Sequence, residues 1–289
     1  VTQPHLHVGS PRRAAVLGSP VGHSLSPVLH AAAHRLLGLD WVYGACEVDE
    51  AGLPAFLAGL TDEWVGLSLT MPLKRAAVEL CGWLSDTARG VGGVNTITFA
   101  DGVRRGDNTD VPGMVNALAE AGVGPVATAA VLGGGATAAS AVAALSDAGA
   151  SEVHAFVRSA GRGDELSVVA EAFGVRLVLR SWDEAAEALR FPLVVATTPG
   201  GSTDDLLVPA GRSGVLFDVA YDPWPTALAA AWTRNGGRVL GGLDLLVHQA
   251  VLQVELMTGG PVSRGRVLDA MRAAGEAALA RRDGPGAGD

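Results

Sequence analysis

Lysine is almost absent from this chain. Of its 21 basic side chains, 20 are arginine and one, Lys74, is lysine. A guanidinium stays charged, whereas an amine can give up its proton when its pKa is lowered, so proton-transfer chemistry can require lysine where arginine fails. Coding bias explains the arginine excess, but it leaves open why one amine survives. Cysteine is also scarce. Cys46 and Cys81 are too few for a disulfide framework and predict a reducing, cytoplasmic setting. The seven histidines show no H-E-x-x-H or clustered ligand spacing, so no zinc or other metal is expected. No apolar run reaches the roughly 18 residues of a membrane span, and no basic segment leads into an apolar leader at the N-terminus. A formal charge of -9 without a basic stripe argues against a nucleic-acid partner.

What is present is a foldable chain. With 289 residues, 48% of them apolar, it can bury a sizeable core in one large domain or two modest ones. Its 39 glycines and 15 prolines point to many turns and close backbone approaches. The charged, Gly-rich tail from Arg281 to Asp289 is expected to fray.

The first segment alternates strands and helices. Ala14 to Leu17 reads as a buried strand, and Pro27 opens a helix to about Leu37 with Ser26 as its natural N-cap. Strands follow at Trp41 to Val48 and Val65 to Leu69, with a helix from Glu50 to about Ala58 between them. Pro72 opens a helix carrying Lys74, and Asn95 to Phe99 with Val103 to Gly106 forms a hairpin around Asp101-Gly102. After a helix from Val111 to Ala121, strands are read at Ala127 to Leu132, Glu152 to Arg158, Arg176 to Leu179, Leu193 to Ala196, Gly214 to Val219 and Arg238 to Leu240. Intervening helices cover Glu165 to Ala172, Trp182 to Leu189 and Thr226 to Asn235, a rhythm that predicts a parallel sheet covered on both faces. The closing helices, Leu245 to Met257 and Arg264 to Ala280, have no new sheet to cover and should return to the first domain.

Ala129 to Ala138 has the form strand, G-x-G-x-x-A, helix. Gly133 permits the tight turn, Gly135 lets backbone approach a pyrophosphate, and Ala138 allows close helix–strand packing beneath a helix N-terminus. The next strand ends in Arg158-Ser159, with Arg162 close behind, where an NAD site often has a carboxylate. A guanidinium and a hydroxyl suit a 2′-phosphate, which favours NADP over NAD; the alternative is that both arginines only solvate a loop.

Three polar clusters sit where strands of the first domain end. In the first, Ser24 and Ser26 precede a helix and can hold a carboxylate, unless Ser26 is only a cap. Gly66 to Lys74 forms the second. The third runs from Gly92 to Thr96 and continues from Gly106 to Gly113, where Asn108, Asp107 and Asp110 are also open to reading as turn or cap residues. Tyr221 lies in a proline-rich loop just after a strand, as a substrate contact or as a lid residue packed on Pro223.

Taken together, these clusters resemble the shikimate dehydrogenase family from Gly18 to about Gly259. Ser24 and Ser26 match the residues that hold the substrate carboxylate, and Thr70 and Lys74 match the Thr and catalytic Lys of N-V-T-x-P-x-K. Asn95 matches the Asn of the family's N-T pair, and Asp110 matches the Asp of N-T-D-x-x-G, the partner of the lysine. Tyr221 and Gln249 match substrate contacts. For the cofactor, the resemblance covers Gly133, Gly134, Gly135, Ala136 and Thr137 in the glycine loop, the pair Arg158 and Ser159, Thr197 and Thr198, and Gly242 and Leu245 on the returning helix. Four positions depart from the pattern: Ser68 replaces an Asn, Thr137 an Ala, Val157 an Asn and Leu245 a Met. None removes a proton-transfer group.

The resemblance implies an α/β chain of two domains. A substrate-binding catalytic domain would comprise 1–109 plus 242–289, and a Rossmann-like doubly wound NADP domain would comprise 110–241. It further implies an oxidoreductase of aromatic amino acid (chorismate) biosynthesis, cytoplasmic, monomeric or homodimeric, that reversibly reduces 3-dehydroshikimate to shikimate with NADPH. The competing expectations are a quinate or quinate/shikimate dehydrogenase using NAD or NADP, another two-domain NADP oxidoreductase such as a methylenetetrahydrofolate dehydrogenase, and a catalytically silent nucleotide-binding regulator. Ser24, Ser26 and Gln249 suit a small acid better than a folate, and Lys74 with Asp110 suits an enzyme better than a sensor.

Overall fold

A computed structural model of the chain describes residues 12–211 and 214–282. Its first half builds a mixed sheet. β1 (Arg12–Gly18) passes through a loop into α1 (Ser26–Leu37), followed by β2 (Trp41–Glu47), α2 (Leu53–Ala58) and β3 (Trp64–Leu69). The single-turn α3 (Leu73–Ala76) precedes β4 (Trp83–Leu84) and α4 (Asp86–Val91). β5 (Thr96–Ala100) and β6 (Val103–Asp107) form the expected hairpin. Asp101 at φ 52 and Gly102 at φ 73 supply the two left-handed residues that such a turn needs. The strand order is β2-β1-β3-β5-β6-β4, with β5 antiparallel to both neighbours and the other pairings parallel.

The second sheet is parallel throughout. α5 (Asp110–Glu120) leads to β7 (Thr128–Leu132), α6 (Ala136–Asp147), β8 (Glu152–Val157), α7 (Ala160–Ala172) and β9 (Arg176–Ser181). A 3-10 segment (Trp182–Arg190) then leads to β10 (Leu193–Ala196), β11 (Val215–Asp218), α8 (Ala227–Arg234) and β12 (Arg238–Leu240). The order β12-β11-β10-β7-β8-β9 is doubly wound, and its winding reverses between β7 and β10. A ligand site in such a sheet opens at that reversal, beyond the carboxyl ends of the two strands. The buried runs Ala129–Leu132 and Leu193–Ala196 meet apolar side chains on both faces, which is why they lack alternation.

α9 (Gly242–Thr258) and α10 (Arg264–Arg282) return to the first sheet, as their lack of new strands predicted: both pack on α1, and α9 also meets α5, β3 and β5. Among the described residues no helix is long and apolar enough to cross a membrane.

Several local expectations need correction. Ser26 does not cap α1: Leu25 is already in the helical region, so the helix starts one residue early and Ser26 becomes its first residue. α2 begins at Leu53 rather than Glu50, and the stretch from Trp182 is 3-10 rather than α-helical. α7 begins at Ala160, not Glu165; Gly161 and Gly163 disguise its first turn, and a side chain at 163 would sit 2.9 Å from Leu179 Cδ1. β4 and α4 were not foreseen, because a two-residue strand has no periodicity to read. Arg281 and Arg282 close α10 instead of fraying: Arg282 bonds Asp222 at 2.7 Å and the His23 carbonyl at 3.0 Å. The remainder of the tail, 283–289, lies outside the described residues.

Candidate active site

Lys74 Nζ lies 2.7 Å from Asp110 Oδ2, although 36 positions separate them in sequence. The fold makes this meeting local. Lys74 sits in the first turn after Pro72, and its carbonyl accepts from Val94 N at 2.7 Å, which ties α3 to the segment entering β5. Asp110 opens α5, but it is not the helix cap: Asn108 Oδ1 accepts from the Asp110 and Val111 amides at 3.0 and 3.3 Å. With Asn108 satisfying the helix end, the Asp110 carboxylate remains available to an amine. The pair is largely buried, the side chains being 14% and 7% exposed, so water screens it weakly.

Asn95 and Gln249 join the same cluster. Asn95 Nδ2 donates to Asp110 Oδ1 and to Thr109 Oγ1, both at 2.9 Å, with Gln249 Oε1 at 3.4 Å. Gln249 reaches it because α9 crosses α5 at Gly113, where a Cβ would come within 2.9 Å of the Gln249 backbone nitrogen. Thr70, at the end of β3, is held by its amide on the Leu17 carbonyl at 2.9 Å, and its methyl fills the space that a side chain at Gly18 would need.

Ser24 and Ser26 lie at the start of α1, where Ser24 Oγ accepts from the Ser26 amide at 3.2 Å. The loop before them is pinned by Glu47, which accepts from Ser19 Oγ at 2.7 Å and Val21 N at 3.0 Å. Tyr221 is half-buried against the cluster formed by α1, α9 and α10, and burial pushes its phenol above the ordinary value. Asp218 anchors that loop by accepting from Thr226 Oγ1 at 2.6 Å and Ala220 N at 3.2 Å, while burial holds its own carboxyl above the usual range.

On the nucleotide side, Gly133 has φ +119, and a Cβ there would lie 2.5 Å from Thr197 Oγ1. Thr197 in turn bonds the Leu132 carbonyl through both its amide and its hydroxyl at 2.9 Å, closing β10 onto β7 at the winding reversal. Gly134 is packed against Arg162, whereas a Cβ at Gly135 would meet nothing within 4 Å. That open side of Gly135, beside the N-terminus of α6 where no side chain caps the first turn, fits the approach of a phosphate. Ala136 and Thr137 form that first turn, with Thr198 next to Thr197 across the gap. At the end of β8, the Arg158 guanidinium stacks 4.8 Å above the Trp182 ring, and Ser159 is the extended residue that leads into α7. Arg162 pairs with Glu165 at 3.3 Å, and Arg75 of α3 meets the same carboxylate. A Cβ at Gly242 would sit 2.2 Å from the Val219 carbonyl, and Leu245 is buried in the cluster where α5, α6 and α9 meet.

The two halves of the site adjoin. Ser140, one turn into α6, lies 3.5 Å from Asn108 Nδ2, so the helix after the glycine turn runs beside the connection that carries Asp110. Sequence reasoning passed over Tyr43 and Gln253, and gave no role to Thr109, Thr96 and Ser68 although all three lie in clusters it singled out. Those five are buried polar groups joined by hydrogen bonds, and only the fold shows that they touch.

A doubly wound dinucleotide sheet set beside a buried lysine–carboxylate pair defines the class: a nicotinamide-dependent oxidoreductase architecture. Residues 16–97 match the family model of the shikimate dehydrogenase substrate binding domain, and residues 242–272 match that of the shikimate 5′-dehydrogenase C-terminal domain. The NADP(+) shikimate dehydrogenase of Oleidesulfovibrio alaskensis is 38% identical over 265 residues, covering 88% of this chain and 92% of that protein. The crystal structure of Mycobacterium tuberculosis shikimate dehydrogenase superposes with a TM-score of 0.83 at 39% identity, covering 92% of this chain and all of that one. The Thermus thermophilus enzyme, solved in complex with NADP(H) and shikimate, superposes at 0.78 with 34% identity, over 91% of this chain and 99% of that one. The chain belongs to the shikimate dehydrogenase family.

Proposed function

We propose that this protein reversibly reduces 3-dehydroshikimate to shikimate with NADPH, and that Lys74 and Asp110 move the proton. The observation that carries this reading is the 2.7 Å contact of the lone lysine with Asp110 beside a glycine turn suited to a dinucleotide. NADPH, when bound, supplies the hydride. As the ketone carbon gains that hydride and its C=O bond becomes C–O, the Lys74 ammonium gives its proton to the oxygen. Lys74 is left as the neutral amine and regains a proton from solvent, so ketone, NADPH and one proton become alcohol and NADP. In the oxidative direction the neutral amine takes the hydroxyl proton.

Asp110 holds the amine in one place. Ser24 and Ser26 bind the substrate carboxylate, and Thr70, Asn95 and Gln249 read the ring hydroxyls. An analogue lacking one hydroxyl leaves a buried donor or acceptor unpaired, which costs about 1–3 kcal/mol. Tyr221 contributes a further substrate contact. Gly133, Gly134, Gly135, Ala136 and Thr137 hold the pyrophosphate, and Arg158 and Ser159 take the 2′-phosphate. Thr197, Thr198, Gly242 and Leu245 border the nicotinamide end. In this reading 1–109 with 242–289 forms the substrate unit and 110–241 the nucleotide unit. Two separate free cysteines support a reducing, cytoplasmic location, as monomer or homodimer.

Initial rates for shikimate and quinate, each with NADP and with NAD, test the proposal. Shikimate with NADP should give the highest kcat/KM of the four. A preference for quinate would overturn the substrate, a preference for NAD the cofactor, and no turnover with any pair the reaction itself.

A further inference from the structure

Behind the proposed substrate contacts, a directed chain of buried hydrogen bonds ends on Asn95. Gln253 lies one turn beyond Gln249 on α9 and is 1% exposed. Its Oε1 accepts from Ser68 Oγ at 2.8 Å and lies 3.2 Å from His30 Nε2, while Tyr43 donates to Ser68 at 2.6 Å. Its Nε2 donates to the Asn95 carbonyl at 3.2 Å and to Thr96 Oγ1 at 3.0 Å. Thr96 then donates to Asn95 Oδ1 at 2.8 Å, an oxygen that also accepts from the Thr109 amide at 2.8 Å.

The direction of this chain is fixed by groups that have no choice. A backbone carbonyl can only accept, so the Gln253 amide nitrogen must face Asn95 O, and its oxygen must face Ser68 and His30. A threonine hydroxyl owns one proton. With an acceptor site of Thr96 taken by Gln253, that proton goes to Asn95 Oδ1. Together with the Thr109 amide, which can only donate, this holds Asn95 with its oxygen turned inward and its NH2 aimed at Asp110. Flipped, it would press an oxygen against the Asp110 carboxylate and cancel the contact that steadies Asp110 beside Lys74.

We propose that Gln253 is a positioning residue for the proton-transfer pair, setting the Asn95 amide through Thr96 and so holding Asp110 against Lys74. This rests on the function proposed for Lys74 and Asp110. Gln253→Met keeps the length and removes both polar ends. Gln253→Glu keeps the shape but only accepts, so it draws the Thr96 proton away from Asn95. Thr96→Val removes the relay hydroxyl, and Thr96→Ser restores it.

The measurements are kcat and its pH dependence, KM for shikimate and for NADP, and thermal midpoint. The Met, Glu and Val variants should each lose roughly tenfold in kcat with a displaced pH profile, while KM for NADP changes by less than about twofold. Thr96→Ser should keep its rate, and Gln253→Met combined with Thr96→Val should be no slower than the worse single variant. Lowered midpoints with unchanged kcat and pH profile would make Gln253 a purely structural residue and overturn the proposal, as would losses that multiply in the double variant. Should the Gln253 variants not fold, equal kcat in Thr96→Val and Thr96→Ser overturns it alone. Failure of the parent reading looks different: the unmodified protein would not oxidise shikimate, or Lys74→Ala would.

Discussion

Around Asp110 the groups that fix the site are side chains: Lys74 and Asn95 bond its carboxylate, Asn108 accepts from its amide, and Thr109 and Gln249 bond Asn95. Around Gly133 they are mostly backbone: a left-handed glycine, an uncapped helix start and the paired amide and hydroxyl of Thr197 on one carbonyl. Under the proposed function the contrast follows from what each side must recognise. A pyrophosphate is met by any row of N–H groups at a helix start, so geometry suffices there and side chains are kept small. A polyhydroxylated ring needs donors and acceptors in a set pattern, which only side chains supply, and each must itself be buried and satisfied.

The largest effect expected of this contrast is at Lys74. Lys74→Ala should cut turnover by roughly 10²–10⁴-fold, the scale of a positioned general acid or base, while NADP binding measured by fluorescence or calorimetry stays close to that of the unmodified protein. If the variant turned over normally, the side-chain half would be only a binding surface. On the nucleotide half, the proposed reading makes Arg158 the point where recognition leaves the backbone. Under the proposed role of Arg158, Arg158→Asp removes a charge-assisted contact to the 2′-phosphate together with the stack on Trp182, and places a carboxylate near that phosphate. KM for NADP should rise by about 10–100-fold, with a much smaller change for NAD. Equal losses with both cofactors would mean that Arg158 serves the loop and not the 2′-phosphate.

The same contrast governs what could be read without coordinates. The nucleotide half was legible almost element by element, because buried strands, glycine turns and Ala-rich helices are local patterns; Leu193–Ala196 and Arg238–Leu240 fall where they were expected. In the substrate half β1, α1, β2, β3 and the hairpin were legible too, but the site itself was legible only at motifs. Lys74 stood out by scarcity and Asp110 by its N-T-D setting, but the reading of Asp110 as a possible cap was settled only by Asn108 taking that task. Gln253 carries no local signal: it lies on an apolar stretch of α9, and its partners Ser68, Thr96 and Asn95 come from strands far away in sequence.

The smallest predicted effect probes the cost of building a wall from buried polar groups. Burial, reinforced by the neighbouring His34, pushes His30 down to about 3 from an ordinary 6.5, while its bond to Gln253 opposes the shift. The folded state therefore resists a proton that the unfolded chain accepts, so the stability that neutral His30 preserves is intact above pH 6.5 and is lost progressively as pH falls toward 3. One unit below the unfolded value, at about pH 5.5, that single group costs about 1.4 kcal/mol. Asp107, Asp147 and Asp218, all raised by burial, act in the opposite sense, so the comparison with a His30 variant is needed to isolate the histidine. His30→Phe keeps an aromatic ring on Tyr43, which His30 stacks at 4.0 Å, and leaves Ser68 to satisfy Gln253. Urea unfolding at about pH 7.5 and 5.5 should show the unmodified protein losing about 1.4 kcal/mol more between the two than the variant does. Equal losses would place the acid sensitivity elsewhere, with His34, whose pKa burial also lowers, the next group to replace.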